Sequence, residues 1–395
     1  MLFVDALGGL GYAAPLFFEP TMSTASKTRL VLPALLSCLT TPATAEVIEE
    51  VLVIASHQPQ TLSQIGSAIS RIDADELSTH TSTNAADLLR NVAGISVNQS
   101  GPMGALTQVR MRGAEANHTL VLIDGVRVND VSLGSEFNFA QVTNADISHV
   151  EVLRGPQSAR YGSDAIGGVI GIFTQESESA GWHGQANLGL GQFNTQDLGG
   201  RLGFRSAGKD TGSWSAQLNI NRLDTDGIDA SPSGNELDGF RNTHINAKAL
   251  LDLSATATLR VNLRQVNTQS EGDKQDFDFP TTATQGLIVD ADERVDSQQR
   301  HLHLAYSQTA GNWQYDAALT RSLSSTDYLS NGARASGLRG ERLLLDLQGS
   351  RGFAVGVTDQ SVNFGLQREQ KDFENIFIGY DAANYQADDA QNSLF

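Results

Sequence analysis

The segment VEVLRGPQSARYGSDAIGGVIGIFT, Val150–Thr174, sets two apolar runs rich in Val and Ile on either side of a glycine-rich turn. Because Val and Ile favour strands, each run predicts a strand. Between them, Gly155-Pro156 turns the chain sharply, since proline fixes φ and glycine accepts conformations closed to other residues. The turn has neither the G-x-x-x-x-G-K-[ST] pattern of a phosphate-binding loop nor the G-x-S-x-G pattern of a hydrolase. We therefore interpret it as a packing element that joins two strands.

The sequence around this segment, residues 46–177, mixes helical and strand patterns. STNAADLLRNVAG, at 82–94, predicts a short helix with Ser82 or Thr83 as its N-cap. TLVLIDGVRVN predicts a hairpin, because its Asp124-Gly125 is a favoured two-residue turn between β-rich runs. Helix and strands within so short a stretch indicate a compact α+β domain.

After this domain, from Gly181 onward, apolar and polar residues alternate. WSAQLNIN at 214–221 and ATLRVNLR at 257–264 show this two-residue alternation, which indicates strands with one apolar and one polar face. About nine such strands follow one another without a helix between them. They would suit a soluble β-sandwich, but their long polar faces favour a closed transmembrane barrel whose apolar face meets lipid.

The N-terminal residues have the pattern of a targeting sequence. MSTASKTRLVLPALLSCLTTPATA, at 22–45, has a basic start, a short apolar centre and a small-x-small cleavage pattern, which predicts a secretory signal peptide. A lipoprotein signal at Cys38 and a buried helix are the alternatives. Residues 1–21 precede a second methionine and are interpreted as an upstream extension. Cys38 is the one cysteine of the sequence, so no disulfide is expected after cleavage.

The overall charge argues against a nucleic-acid-binding protein. The 395 residues include 45 Asp and Glu against 27 Lys and Arg, for a formal net charge of −18. Affinity for nucleic acid depends on basic side chains that contact phosphates. No nucleic-acid partner is therefore expected.

Three segments carry a resemblance to a known family. EEVLVIAS at 49–56, VRMRGAEANHTLVLIDGVRVND at 109–130 and the opening segment resemble the energy-coupling box and plug motifs of TonB-dependent outer-membrane receptors. The resemblance implies an α+β plug domain, with the box, at 46–177. It implies an antiparallel transmembrane β-barrel, of about 22 strands in such receptors, whose N-terminal part would be residues 178–395. It also implies a location in the bacterial outer membrane, contact with its lipid, and energy supplied by TonB and its inner-membrane complex.

The resemblance implies import rather than catalysis. The run HTLVLIDGVRVN…YGSDAIGGVI looks most like the members that import vitamin B12 (cobalamin), and ferric-siderophore receptors share much of it. The expected function is TonB-dependent uptake of cobalamin or a related scarce nutrient, with a ferric siderophore as the alternative. The plug apices, 100–106 and 132–139, are expected to contact the ligand. The rival functions are a receptor that only senses its ligand and a barrel enzyme that acts on lipids. Since about nine strands are present at 178–395, the chain is expected to be a C-terminally truncated fragment.

The resemblance also assigns functional residues. The energy-coupling box, expected to pair with TonB as an added strand, consists of Glu50, Val51, Leu52, Val53 and Ile54; the alternative is an ordinary first strand of the plug. The expected packing and gating residues of the plug are Arg112, Gly113, Asp124, Gly125, Arg154, Gly155, Pro156, Tyr161, Gly162, Gly167 and Gly168. Because a buried guanidinium needs a partner, Arg112 and Arg154 are expected to pair with acidic residues of the barrel wall. The alternative is an exposed position at a strand end.

Two polar clusters in the barrel region are candidate metal ligands. LDTDGIDASPSGNELDGFRN, at 223–242, is rich in carboxylates, and calcium prefers several oxygen ligands. The candidate calcium ligands are Asp224, Asp226, Asp229 and Asp238; the alternative is a solvated extracellular loop. His301 and His303 lie two residues apart on one strand, and polar positions facing the lumen are the favoured interpretation over a metal or haem site. Apart from calcium, no cofactor is expected.

Overall fold

The structure is a computed structural model, and it describes residues 51–52, 60–61, 67–73, 76, 84–177, 179–208, 212–232, 234, 236–277, 280, 282–356, 358–379 and 381–394. The predictions for residues 1–45, and those for Glu50, Val53 and Ile54, lie outside this description. Val51–Leu52 (β1) pairs with Gln60–Thr61 (β2) in a two-stranded sheet of their own.

The plug is built on a five-stranded mixed sheet. Its elements, in chain order, are Ala68–Asp73 (β3), Ala85–Leu89 (α1), Ile95–Gln99 (β4), Thr107–Met111 (β5), Thr119–Ile123 (β6), Val126–Arg127 (β7), Ile147–Arg154 (β8), Ser158–Tyr161 (α2) and Gly168–Thr174 (β9). The sheet has the order β3-β8-β9-β6-β7, with β6 and β9 parallel and the other neighbours antiparallel. The β4–β5 hairpin is separate from it. This arrangement confirms the predicted α+β plug.

The first helix forms where the sequence predicts it, but with a different cap. Asn84 precedes α1, and its side-chain Oδ1 accepts a hydrogen bond from Ala86 N at 2.7 Å. The choice of Ser82 or Thr83 is wrong because Asn84 is the residue next to the first helical N–H groups, and Asn caps as well as Ser or Thr. None of the described helices is long and apolar enough to cross a membrane.

The plug core lies on both faces of the five-stranded sheet. Leu120 and Val121, adjacent in β6, are fully buried in two different clusters, one on each face. The hairpin that follows β6 forms as predicted, with φ of 50° at Asp124 and 81° at Gly125, the two positive values that its turn type requires. The plug therefore has the apolar interior of a water-soluble domain.

Ten antiparallel strands follow the plug and pair in chain order. They are Gly181–Leu190 (β10), Gln196–Arg205 (β11), Trp214–Ile228 (β12), Asp238–Ser254 (β13), Ala257–Gln275 (β14), Ile288–Ala310 (β15), Trp313–Ser330 (β16), Ala333–Val355 (β17), Thr358–Phe377 (β18) and Tyr385–Leu394 (β19). Within the described residues, β10 and β19 are each paired on one side only. At one end of the sheet, β13–β14, β15–β16 and β17–β18 are each joined by two residues and β11–β12 by residues 206–213; at the other end, β12–β13 and β14–β15 are joined by residues 229–237 and 276–287.

The two faces of this sheet are inverted relative to those of a soluble protein. On β12, Leu218 and Ile220 are 43% and 45% exposed, whereas Asn219 and Asn221 are 5% and 1% exposed. A soluble sandwich would bury the leucine and isoleucine between its sheets. The soluble-sandwich alternative is therefore wrong, and the sheet is a partial barrel with an apolar outer face and a polar inner face against the plug.

Candidate functional site: the contact between plug and barrel wall

The glycine-rich turn between β8 and β9 closes on the plug itself. Gly155 N donates a hydrogen bond to Gly167 O at 3.0 Å, and Gly168 lies so close to Leu153 O that a side chain there would clash. Gly155, Gly162 and Gly168 have φ of 119°, 83° and 153°, values that favour glycine. Pro156 precedes α2, within the same turn. These contacts are those of a packing element, and a role in gating stays a prediction.

Within the described residues, Arg112 and Arg154 of the plug form no ion pair with the barrel. Arg154 Nη1 donates to Ala93 O at 2.7 Å, and its Nη2 donates to Ser70 Oγ at 2.8 Å. Arg112 and Gly113 form the turn after β5, with φ of 52° and 78°, and Arg112 makes no ion pair within the described residues. Plug oxygens thus bind both Nη groups of Arg154, and for Arg112 an acidic partner on the barrel wall stays a prediction.

A different plug arginine meets the barrel wall. Arg127, which ends β7, donates from Nη2 to Tyr161 O at 2.5 Å and from Nη1 to Glu369 Oε1 of β18 at 3.4 Å. Arg342 of β17 lies 2.9 Å from the same oxygen through Nε and donates from Nη1 to Asn129 O at 2.8 Å. The side chains of Arg127, Arg342 and Glu369 are each at most 9% exposed.

Two further charges complete this cluster. Asp164 Oδ2, in the glycine-rich turn, lies 3.9 Å from Arg127 Nη1 and 4.0 Å from Arg342 Nη2, and Lys371 Nζ lies 3.2 Å from Glu369 Oε2. We call these five side chains the ion-pair network. Arg127 and Asp164 lie in motifs quoted from the sequence, but nothing marked their roles. The barrel members lie among many polar residues of alternating strands, where no local signal separates them from the rest.

The predicted turn residue Asp124 also contacts the wall. Its Oδ1 lies 2.9 Å from Lys248 Nζ of β13, and its Oδ2 accepts a hydrogen bond from Asn262 Nδ2 of β14 at 3.3 Å. The same carboxylate accepts hydrogen bonds from Thr174 N at 2.9 Å and Thr174 Oγ1 at 2.8 Å. Asp124 therefore joins the β6–β7 hairpin to both the last plug strand and the barrel.

Asp146, which no sequence motif marks, is a further buried carboxylate at this contact. It is 1% exposed, and its Oδ2 accepts a hydrogen bond from Asn246 Nδ2 of β13 at 3.0 Å. Burial raises the pKa of Asp146 to about 6, and the Asn246 hydrogen bond and the nearby Lys248 charge oppose that rise. This carboxyl therefore changes its charge near neutral pH.

The plug apices lie against the wall nearer the long loops. Asp130 Oδ1 accepts a hydrogen bond from Ser324 Oγ of β16 at 2.6 Å. Gly104 approaches the ring of Phe240 of β13 so closely that a side chain on Gly104 would clash with it. From the ion-pair network to these apices, the plug is thus attached to the wall mainly by hydrogen bonds and ion pairs.

The predicted calcium ligands do not come together. Asp224 lies on the outer face of β12 and is bound by Arg222 Nη2 at 3.0 Å and Arg241 Nε at 2.8 Å. Asp229 and Asp238 accept hydrogen bonds from backbone N–H groups within the loop, each at 2.8 Å. Asp224 is therefore engaged with two arginines, which local spacing could not reveal.

A different set of carboxylates converges in this region. Oxygens of Glu236, Asp273 and Asp290 all lie within 4.8 Å of one another. Burial and the neighbouring carboxylates raise the pKa of Glu236. Asp273 and Asp290 belong to β14 and β15, so a search of the loop sequence missed them, whereas Asp226 lies in β12 outside this trio.

The two histidines of β15 make ordinary polar contacts within the wall. His301 Nδ1 is 2.9 Å from Ser322 Oγ, and His303 Nδ1 is 2.9 Å from Thr320 Oγ1. Both hydroxyls belong to β16, the next strand. These contacts fit the interpretation of the pair as polar residues that face the lumen.

The described part of the energy-coupling box is not a strand of the plug sheet. Val51 pairs with Thr61 and Leu52 with Gln60, while the plug sheet begins at β3. In the described residues, the box therefore does not form the first strand of the plug sheet. Pairing with TonB stays a prediction.

Comparisons with known proteins agree with this architecture. A family model described as TonB-dependent Receptor Plug Domain matches residues 61–169. The vitamin B12 transporter BtuB of Vibrio vulnificus is 35% identical over 189 residues, which are 47% of this chain and 30% of that protein. The siderophore receptor PirA from Acinetobacter baumannii aligns with a TM-score of 0.61 at 18% identity, over 78% of this chain and 48% of its own. The ferripyoverdine receptor of Pseudomonas aeruginosa aligns with a TM-score of 0.67 at 13% identity, over 87% of this chain and 50% of its own.

The chain spans less than a third of this curated relative and about half of each of these solved receptors. The two solved receptors are less than 25% identical to this chain, so their similarity concerns the fold alone. The plug match and the curated relative add the family signal in the sequence itself. Residues 61–169 are thus similar to the plug domain of TonB-dependent receptors, and the described chain has the architecture of a plug followed by part of an outer-membrane barrel.

Proposed function

We propose that the whole protein imports a scarce nutrient across the outer membrane with energy supplied through TonB, and that the nutrient is cobalamin or a related compound. The observation that carries this proposal is the polar contact between plug and wall. Asp124, Asp146 and the ion-pair network seat the plug on the inner face through groups that water can also satisfy. Because exchange of such bonds with water costs little net free energy, a plug held this way closes the lumen and still moves under a modest pull.

The choice of cobalamin rests on the 35% identity to a vitamin B12 transporter. A ferric siderophore is the second candidate, because the solved structures that align with this chain are named as a siderophore receptor and a ferripyoverdine receptor. In either case the solute crosses unchanged, so the proposed protein has no catalytic step. A ligand-sensing receptor or a lipid-modifying enzyme would have no use for a plug that releases from the wall.

The test is equilibrium binding of cyanocobalamin to the intact protein in detergent, against a panel of ferric siderophores. We expect saturable cobalamin binding and no siderophore binding. Siderophore binding without cobalamin binding would replace the substrate and keep the transport proposal. Absence of both would overturn the proposal.

Energy coupling is tested separately, by substitutions in the energy-coupling box. Val51→Pro removes a backbone N–H that an added strand would use. We expect this variant to bind ligand normally and to lose uptake in cells, whereas Val51→Ala retains uptake. Unchanged uptake with Val51→Pro would contradict coupling through this segment.

We also propose that calcium binds the acidic loops and holds them in place. Glu236, Asp273 and Asp290, rather than Asp224, would supply the carboxylates, since Asp224 is neutralised by two arginines. Calcium titration of the intact protein should protect these loops from proteolysis, and Asp273→Asn should weaken that protection. Asp224→Asn is the matched control and should leave it unchanged.

A further inference from the structure

The contact between plug and wall differs between two sides of the barrel sheet. On β12 and β13 it consists of direct hydrogen bonds at successive levels. Thr143 Oγ1 donates to Asn221 Oδ1 at 3.3 Å, and Gln217 Nε2 donates to Gln175 O at 2.6 Å. Asn246, a further donor to the plug, lies at a level between Gln217 and Asn221 in the strand register. The plug is thus bonded to this side of the wall along the strands.

On β16 and β17 the bonded contacts end part of the way down the wall. Ser324 and Arg342 bind the plug. The next inward residues of β17, toward its turn to β18, are Leu344, Asp346 and Gln348. Among the residues that the structure describes, none of these three makes a hydrogen bond or ion pair with the plug, and Asp346 is bound instead by a neighbouring wall strand.

A cavity of about 360 Å³ occupies this unbonded space. Gly125 and Tyr161 line its plug side, and Leu344 and Gln348 line its wall side. Arg127 of the ion-pair network also lines the cavity. The β17–β18 turn, toward which the cavity extends, lies at the end of the sheet with two-residue turns, and short turns face the periplasm in barrels of this kind. The cavity is therefore on the periplasmic side of the network.

Along β17, the ion-pair network lies between the plug apex and this cavity. Gly340 is against the apex, because a Cβ on Gly340 would lie 3.1 Å from Ser132 N. Arg342 of the network is the next inward residue, and Leu344 of the cavity follows it. From Gly340 to Leu344 a strand rises by about 13 Å, at about 3.3 Å per residue. Opening of the network would thus join the apex to the cavity.

We propose that an imported solute leaves the lumen through this cavity, along β16–β18, while the plug stays bonded to β12 and β13. The inference rests on the proposed import function and adds the route. Opening this route breaks the ion-pair network and the Ser324 contact. Release of the whole plug would also break the hydrogen bonds on β12 and β13, so the route along β16–β18 requires fewer broken contacts.

The lining of the cavity suits passage rather than retention of a polar solute. It carries charges of both signs, with Lys248 and Arg260 against Asp124 and Asp346, beside hydroxyl and amide groups. A solute therefore meets hydrogen-bonding groups without a strong field of one sign. A solute larger than the cavity requires the β6–β7 hairpin to move away from β17 as the network opens.

The test compares two engineered disulfides that fix the plug to different sides of the wall. Ser132→Cys with Ser324→Cys joins the apex to β16, where the two hydroxyl oxygens are 3.4 Å apart. Thr143→Cys with Asn221→Cys joins the plug to β12, where the two side-chain oxygens are 3.3 Å apart. Cys38, the one cysteine of the sequence, lies in the predicted signal peptide and should not compete.

Uptake of cyanocobalamin, and of each ferric siderophore of the panel, is measured in cells before and after oxidation. We expect the β16 disulfide to abolish uptake until a reductant is added, and the β12 disulfide to leave uptake unchanged. Equal loss with both disulfides would mean that the plug leaves the wall as a whole, and it would overturn the proposal. Full uptake with both, or loss with the β12 disulfide alone, would also overturn it. Ligand binding by the oxidised proteins in detergent identifies a loss that comes from misfolding.

A second readout does not depend on the identity of the solute. Failure of the reduced protein to import any of these compounds would count against the proposed function rather than the route. The route is then tested by ionic conductance of planar lipid bilayers that contain the intact protein, in urea concentrations that loosen the plug. The β16 disulfide should suppress this conductance and the β12 disulfide should not, whereas equal conductance of the two would overturn the route.

Discussion

The plug and the barrel sheet bury opposite kinds of side chain. In the plug, Leu120 and Val152 are 0% exposed, whereas on the inner face of the sheet Asn221 and Asn242 are 1% and 0% exposed. The plug is therefore stabilised as a water-soluble domain is, by apolar burial. The sheet depends on lipid outside and on polar partners inside. The boundary between plug and sheet is therefore the part of the molecule whose opening requires the least loss of apolar contact.

The largest effect is expected where that boundary holds charge. Glu369→Gln leaves Asp164 as the one carboxylate of the ion-pair network, at 3.9 and 4.0 Å from Arg127 and Arg342. Removing one partner of a buried ion pair typically costs about 3–5 kcal/mol. We expect the plug to detach at lower urea concentration and its β6–β7 amides to exchange faster with solvent, as measured by hydrogen exchange.

Glu374→Gln is the control for this change, because Glu374 is an exposed carboxylate of the same strand. It should leave both the urea midpoint and the exchange rates unaltered. If Glu369→Gln also left the urea midpoint and the exchange rates unchanged, the ion-pair network would not hold the plug. Hydrogen bonds alone would then stabilise the contact between plug and wall.

The sequence predicts one side of this comparison better than the other. The α1 helix, the Asp124-Gly125 hairpin and the alternating strands follow from local rules of capping, turn chemistry and period. The barrel residues that contact the plug do not follow from such local rules. Arg127 and Glu369 are separated by 242 residues, and the alternation on β18 shows only that Glu369 faces inward.

The same limit explains the arginines and the calcium candidates. Arg154 was expected to face a barrel carboxylate, but carbonyl and hydroxyl oxygens of the plug, which no sequence pattern displays, bind it instead. The Glu236, Asp273 and Asp290 trio joins three elements that meet only when the strands pair. Local structure can thus be predicted from the sequence. Side-chain partners across the boundary between plug and barrel can be predicted only when the register of the paired strands is known.

The outer face of β12 should meet lipid along one part of the strand and water along another. Leu218 and Ile228 belong to β12, are 43% and 45% exposed, and lie on opposite sides of Arg222 along the strand. A lysine in the lipid-facing band of a barrel costs about 2–4 kcal/mol at the bilayer midplane and little near its surface. Leu218→Lys should therefore lower the free energy of unfolding in lipid bilayers, and Ile228→Lys should change it by much less. Equal losses would place the lipid border elsewhere on this strand.

The smallest effect is a dependence of the plug contact on pH. The pKa of Asp146 is raised from 3.8 to about 6. Between these values the folded protein keeps a proton that the unfolded chain has lost. The free energy of unfolding should therefore fall as pH rises through this window, by about 1 kcal/mol between pH 5 and pH 7. Other groups also titrate, so the measured quantity is the difference between the native protein and Asp146→Asn at each pH.

Asparagine retains an oxygen that can accept the hydrogen bond from Asn246 but carries no charge to bury. The variant should thus gain stability relative to the native protein as pH rises from 5 to 7, in urea unfolding followed by plug hydrogen exchange. A constant difference across this range would mean that the carboxylate is hydrated in solution and that Asp146 is not enclosed by the wall. Because the two proteins differ at residue 146 alone, a difference that grows with pH comes from this carboxyl at the contact with the barrel.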